Sequence, residues 1–487
     1  MDLEEGLAGV SFGLEHGVFV DNYPSEVRVC SENGFEYRIK GNRKEGHGWS
    51  CFPCQNLIAV KRAIDIPAGY GVYIYTFKKK AWKKSEWRPR RVCVRFQHKS
   101  QQEEFVSRVE QGMSSPRRPK SILFLVNPVS GSGQTLSKYN SIIKPLFELA
   151  GVSCDMVQTC ASSDDEHEFY KKMRHCVAVG SRCEYDGIVA VGGDGVFFEM
   201  MNTVNRVCGE SHVPCRLGHL PLGSTDAVSS TLHGTRSLFT AAMHIILGDY
   251  KKVDTLQVEV YSGRDAELST KNTMTCFCIA ATGFMADVIS SSSMLRFFGP
   301  FRYDIVGALK LIQNTPYKCK IRYSHSEKIF NGDDERAVQC HAECSVCSQP
   351  TSTDMSQGIE NRSEWSAEIE DEFLSVMIMN QACVSDKSTH GMYKYGHLCN
   401  GEGVLVMVKK CSPWLFFRFL LAMSTHGLSE HVGDHVQMVR VSKVQVTSAQ
   451  ADVPLTWNLD GELQVCHKLT ATPMHASLPV FARGIER

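Results

Sequence analysis

The 487-residue sequence has no surplus of either charge, because 53 Lys and Arg face 53 Asp and Glu. A balance of zero argues against a general nucleic-acid binder, whose phosphate partner asks for a basic surface. No apolar run approaches the roughly 18–20 residues that a bilayer-crossing helix needs, so any membrane contact is expected to be peripheral. The opening "MDLEEGLAGV" is acidic and lacks the basic and apolar regions of a secretory leader. No glycine loop continues into Gly-Lys-Ser/Thr, which removes the Walker A motif, and "GSG" lacks the third glycine of the dinucleotide fingerprint. No internal repeat is present. Cysteine is plentiful: 20 are scattered along the chain. With no leader, they favour a cytoplasmic protein with reduced thiols.

The pattern of elements divides the chain. Residues 1–112 alternate short strand-like runs such as "EVRVCS", "GVYIYTF" and "RVCVRF" with turns, then end in the helical "KSQQEEFVSRVEQGM". That is the pattern of a small β-barrel or sandwich closed by a helix. Residues 113–120, "SSPRRPKS" and its neighbours, read as a linker. Residues 121–250 alternate buried strands with helices, as a parallel α/β sheet does. Residues 251–487 are dominated by strands and predict a β-sandwich, with a polar insertion around 325–370. The fold class expected is therefore α/β plus all-β.

Ligands of a parallel sheet gather beyond the carboxyl ends of its strands. Two glycine loops stand there. "NPVSGSGQ" follows "SILFLV", and "GGDG", Gly192 to Gly195, follows "DGIVAV". Glycine lets a backbone approach a phosphate and point N–H groups at it, and the helix after each loop adds its positive end. A third polar loop, "GSTD", holds Ser224. "TGFMADV" places Asp287 after a strand, "LRFFGPFRYD" spaces Arg296 and Arg302 six residues apart, and "WNLDGELQV" contains Asp460, Gly461 and Glu462.

In this order, NPVSG, GGDG, GSTD and DGE resemble the diacylglycerol-kinase catalytic superfamily of lipid kinases and, within it, the ceramide kinases. The likeness spans about 120–487, and residues 1–112 resemble a pleckstrin-homology domain. The resemblance implies a two-lobe fold with ATP and Mg²⁺ between an α/β lobe and a β-sandwich lobe. It implies transfer of the γ-phosphate to the primary hydroxyl of ceramide, giving ceramide 1-phosphate; sphingosine, diacylglycerol or a non-catalytic lipid-binding role are the alternatives. Asp194 is the general base the family implies, and its flanking glycines let a base reach the hydroxyl without obstructing the phosphates. Asn127, Pro128, Val129, Ser130, Gly131, Thr159, Glu199, Ser224, Arg296, Arg302, Asp460, Gly461 and Glu462 match nucleotide-side positions. Gly192, Gly193, Gly195 and Asp287 match lipid-side positions beside Asp194. Val196 and Thr135 depart from the common pattern, as does "CASS" after Thr159.

Cys340, Cys344 and Cys347 form C-x₃-C-x₂-C, a motif shared with ceramide kinases. Either it holds a soft metal such as zinc, with His341 as a fourth ligand, or it is a redox-sensitive or structural thiol cluster. Lys78, Lys79, Lys80, Lys83, Lys84, Arg88, Arg90, Arg91 and Arg95, interleaved with Trp82 and Trp87, suggest attachment to anionic membrane lipids, with a solvated hairpin or a nuclear-import signal as the competing reading. "KKCSPWLFFRFLLAM" is either a calmodulin target, with Ca²⁺ regulation, or a core helix.

Overall fold

The structure is a computed structural model that describes residues 10–12, 18–30, 34–39, 50–63, 69–130, 133–159, 168–178, 183–209, 215–262, 271–292, 301–326, 339–348, 365–429, 433–450 and 452–486. Gly131, Arg296 and most of the polar insertion lie outside these residues. The chain forms two compact units. The first comprises Met1–Ile122, Asn140–Asp155 and Ser237–Asp249; the second comprises Leu123–Tyr139, Met156–Arg236 and Tyr250–Arg487.

In the first unit, β-branched and aromatic residues alternate with polar ones, and the strands follow that alternation. Tyr70–Lys80 and Lys83–Phe96 pair in register from Tyr70 opposite Phe96 to Lys79 opposite Trp87. They put Val72, Ile74, Val92 and Val94 inside. The eight-stranded sheet does not close as the expected barrel. Its path runs from Ser50–Phe52 to Ala59–Ala63, and among the described residues these end strands do not pair. The helix Lys99–Met113 packs against strands from both ends of that path. Its Phe105 ring lies 5.5 Å from Phe35 and 5.2 Å from Phe96, so one side chain packs on two strands that are not neighbours in the sheet. Gln102, buried beneath, donates to the Gly71 carbonyl at 2.6 Å.

Trp87 corrects the reading of the basic stretch. Trp82, at the hairpin tip, is 80% exposed, but Trp87 is only 2% exposed. Its indole stacks on Phe77 at 3.9 Å and meets the edge of His244 at 4.7 Å. Its backbone N–H donates to Thr240 Oγ1 at 2.9 Å. Alternation explains the difference, since Trp87 falls on the inward face of a strand and Trp82 in a turn. Trp87 thus anchors the helix Leu238–Ile246 within this unit and is not available to a bilayer.

In the second unit, Gly187–Gly192 and Arg216–Pro221 run parallel, with Gly192 opposite Pro221. Ser121–Val126 flanks them, so three strands end at one edge. The fourteen-stranded sheet continues through Lys468–Val480, which joins the parallel part at Leu217 opposite Val480 and then runs antiparallel with Lys251–Tyr261 and Val436–Ser448. The α/β and β-rich parts expected from the sequence therefore share one sheet. Leu123, Ile188, Phe197 and Leu217 belong to one buried cluster, and Leu256, Ile321, Leu405 and Trp457 to a second among the antiparallel strands. No helix among the described residues is long and apolar enough to cross a membrane.

Urea denaturation distinguishes the two tryptophans. Trp87→Ala is expected to lower stability by about 3–5 kcal/mol, as for a large core truncation, and Trp82→Ala to stay within about 0.5 kcal/mol of the parent.

Candidate active site

Four loops meet at the carboxyl edge of the parallel strands. The Asn127 N–H donates to Val191 O at 3.2 Å, and the Thr159 N–H to Val126 O at 2.9 Å. Asn127 Oδ1 accepts the Val129 N–H at 3.0 Å, which bends the first loop into a turn. A Cβ on Gly192 would lie 2.8 Å from Ser130 Oγ, so the first and second loops touch. A Cβ on Gly223 would lie 2.4 Å from the Gly193 Cα, so the second and third loops touch backbone to backbone. The glycines are needed here for closeness: a methyl group at position 223 has no room.

Asp194 opens the helix Asp194–Cys208, but its carboxylate serves another helix. Oδ2 accepts the Ala227 N–H and Oδ1 the Val228 N–H, both at 2.9 Å. These are the first amides of the helix Ala227–His233, which have no partner within their own helix. One carboxylate therefore ties GGDG to GSTD and is held in a single orientation, with a lone pair remaining on each oxygen. The carboxylate thus caps that helix and not its own, whose N-cap Gly193 has no side-chain capping bond, and the two bonds also aim it.

Asp226, in the left-handed region at φ 49°, is buried beside this bond. Its carboxylate accepts the Gly223 N–H at 2.8 Å and pairs with Arg236 at 3.0 Å. Burial raises its pKa above the usual 3.8 and the Asp194 charge adds to the rise, while His219, the Gly223 amide and Arg236 pull it back. Arg236 also binds the Gly223 carbonyl at 3.0 Å and Asp386. Asp226 is the last residue of GSTD, whereas Arg236 and Asp386 lie outside every motif. GSTD carried the signal for the first; no local spacing ties Arg236 to position 386.

The DGE turn reaches the same place. Asp460 and Gly461 both have positive φ, 50° and 104°, as a two-residue hairpin turn requires. Glu462 follows, and a Cβ on Gly195 would lie 3.1 Å from its Oε1. Asp460 itself faces inward. Its carboxylate accepts the N–H groups of Phe277, Cys278 (2.9 Å) and Ile279 (2.9 Å), so it holds the hairpin to the start of the strand Ile279–Gly283. Burial pushes its pKa up to about 6; the Asp194 charge acts in the same direction and the three amides oppose it.

The other sequence-derived residues are placed as follows. Ser224 is exposed on its loop. Glu199 is half-buried on the helix of Asp194, and five residues along a helix puts it about 140° round the axis from that carboxylate. Asp287 lies in the first turn of Phe284–Ser292, a helix that packs against both strands of the Glu462 hairpin. Its two oxygens already accept the Tyr317 hydroxyl at 2.9 and 2.8 Å, and burial raises its pKa. Arg302 donates to the Tyr303 hydroxyl at 2.6 Å, and its buried Nε has no partner among the described residues.

The thiol cluster is real in space, with one correction. Cys340, Cys344 and Cys347 converge, but the imidazole among them is His397 and not His341. His341 Nδ1 instead accepts the Glu343 N–H at 3.2 Å. His397 lies 53 residues from Cys344, beyond any local spacing rule.

Residues 121–258 match the family of diacylglycerol kinase catalytic domains. The chain is 27% identical over 420 residues to a ceramide kinase of Mus musculus, covering 76% of this chain and 75% of that one. It is 24% identical over 459 residues to a ceramide kinase of Arabidopsis thaliana, covering 76% and 74%. A sphingoid long-chain bases kinase 1 of Arabidopsis thaliana is 28% identical over 214 residues, 42% of this chain and 26% of that protein. A crystal structure of a diacylglycerol kinase from Bacillus anthracis str. Sterne aligns with TM-score 0.47 and 14% identity over 76% of this chain and 98% of that one. The likeness to ceramide kinases read from the motifs thus extends over most of the chain.

The Asp460 carboxyl holds a proton more tightly in the folded chain than at its ordinary 3.8. Folding therefore takes up a proton between the two values, and stability falls as pH rises from about 4 to about 6, then levels off. In Asp460→Asn this part of the slope is expected to vanish, which denaturant titrations across that range would measure.

Proposed function

We propose that this chain, which carries a diacylglycerol kinase catalytic domain, is an ATP-dependent lipid kinase that phosphorylates the primary hydroxyl of ceramide. The carrying observation is the meeting of the glycine loops around an Asp194 carboxylate held by two backbone amides. The likeness to ceramide kinases supports the choice of lipid. Sphingosine or diacylglycerol is the second reading, favoured by the sphingoid-base kinase relative.

The residues present fit a nucleotide's phosphates. Gly193 and Gly223 pack backbone to backbone, too close for a Cβ at position 223, which gathers the second and third loops at the strand edge where the phosphates would lie. Asn127 to Ser130 and Ser224 would line the phosphates, with Thr159 beside them. Arg302, whose Nε lacks a partner among the described residues, would add a guanidinium. Gly131, Arg296, Glu199 and Gly461 complete this reading from the motifs. Glu462, exposed beside Gly195, would hold Mg²⁺, which neutralises phosphate charge during transfer. Asp460 supports the site by positioning Glu462, since its own oxygens are already engaged.

Asp194 takes the proton of the lipid hydroxyl. The hydroxyl oxygen forms its bond to the γ-phosphorus as the bond from that phosphorus to the bridging oxygen breaks, and ADP leaves. The two amide bonds keep the carboxylate from rotating away, so little reorganisation is needed during reaction. Asp287, with Tyr317, would contact the polar part of the lipid.

The substrate's insolubility requires an approach from a membrane surface. Phe301, Leu309 and Ile312 are exposed at and along the helix Arg302–Gln313, and Trp414, Phe417 and Leu421 along Pro413–Thr425, which packs against it. Phe416, Phe419 and Met423 of the latter helix are core residues. Residues 1–112, read as a pleckstrin-homology-like module, would add the basic hairpin tip, where Lys78, Lys83, Lys84, Arg88 and Trp82 are exposed.

The test is Mg·ATP with ceramide, sphingosine and diacylglycerol in mixed micelles. Phosphate transfer to ceramide is expected, with kcat about 10²–10⁴ lower in Asp194→Asn, the range for loss of a general base. A single cooperative melting transition, even at a lower temperature, and an ATP affinity like the parent's would show that the variant is folded. Transfer to another lipid supports the second reading; transfer to none, or full activity in the variant, overturns the proposal.

A further inference from the structure

We infer that Cys340, Cys344, Cys347 and His397 form a tetrahedral zinc site. The three sulfurs and one imidazole nitrogen all lie within 4.8 Å of one another. Tetrahedral zinc with bonds near 2.3 Å to sulfur and 2.0–2.1 Å to nitrogen spaces its ligand atoms by about 3.5–3.8 Å. The Cys340 and Cys347 sulfurs are 3.6 Å apart, and Cys344 Sγ is 3.3 Å from His397 Nδ1. A disulfide needs about 2.05 Å, so Cys340 and Cys347 are spaced as co-ligands and not as a bonded pair.

Burial points the same way. Cys340, Cys344 and His397 are buried and Cys347 is half-buried. The cluster lies largely out of solvent, and its four donor atoms face one another as the ligands of one ion do. Thiolate and imidazole ligands select zinc over the hard cations Mg²⁺ and Ca²⁺. Binding converts three thiols to thiolates and releases three protons, leaving a site of net charge −1. All four positions are filled by protein, so the metal would be structural, with no open position for catalysis.

The ligands are also held from outside the cluster. The Ala342 N–H donates to Ile485 O at 2.8 Å, and Lys251 Nζ to Ala342 O at 3.0 Å. Leu398, next to His397, accepts the Asp254 N–H at 2.8 Å. The metal would therefore clasp the Cys segment, which borders the polar insertion, to the His397 loop and the chain end. A second grouping, Asp254, Cys399 and His475, differs in kind. There Asp254 already accepts the N–H groups of Asn400, Gly401 and Ala476, as a backbone clasp does.

The test uses the full chain, purified without chelator and analysed by elemental mass spectrometry. About one zinc per chain is expected, most of it lost in His397→Asn and all of it kept in His341→Asn, whose ring lies outside the cluster. Exchange of the parent with Co²⁺ provides a readout that does not depend on a variant folding. Strong visible absorption with a sulfur-to-cobalt band marks tetrahedral thiolate ligation. Absence of stoichiometric zinc, a weak octahedral cobalt spectrum, or loss of zinc in His341→Asn but not in His397→Asn would each overturn the assignment.

Discussion

The candidate site depends on one carboxylate bridging two loops. Asp194 begins its own helix and spends both oxygens on the first two amides of another, Ala227 and Val228. Those amides would otherwise be unsatisfied, and a negative charge is favoured where the helix dipole is positive. The bond fixes GGDG against GSTD, and the Gly193–Gly223 approach is close enough that only glycine serves. Catalysis and stability would thus draw on the same side chain, so a change at 194 acts on both.

The other carboxylates arrange themselves around that bridge. Asp226 and Asp460 feel the Asp194 charge and are pushed upward in pKa by burial; each is held by backbone amides, and Asp226 also by Arg236. Glu462 alone of these is exposed. Inward acids build the loops, and the outward one faces solvent. The DGE motif therefore combines an inward-facing Asp, a turn Gly and an exposed Glu, although its three letters look equivalent in sequence.

Outside the site, the first unit shows how a strand's two faces divide superficially similar residues. Trp82 and Trp87 lie five positions apart in a basic stretch, one in solvent and one stacked on Phe77. Phe105 from the helix packs on Phe35 and Phe96, which lie on strands that are not neighbours in the sheet.

Much of this protein was legible in its sequence because the signals are local. Alternating apolar residues mark strands and glycine runs mark loops at strand ends; residues 121–258, which hold NPVSG, GGDG and GSTD, match the diacylglycerol kinase catalytic domain, and the chain as a whole is similar to ceramide kinases. What the sequence could not contain is which distant groups meet. That Asp194 caps Ala227–His233, that Arg236 joins Asp226 to Asp386, that Asp460 turns inward, and that His397 replaces His341 among the cysteines all depend on through-space contacts. Periodicity and motif spacing report on neighbours along the chain. Contacts across it are decided by packing, because only the folded backbone sets which donors are left unsatisfied and which carboxylate or ring is near enough to reach them.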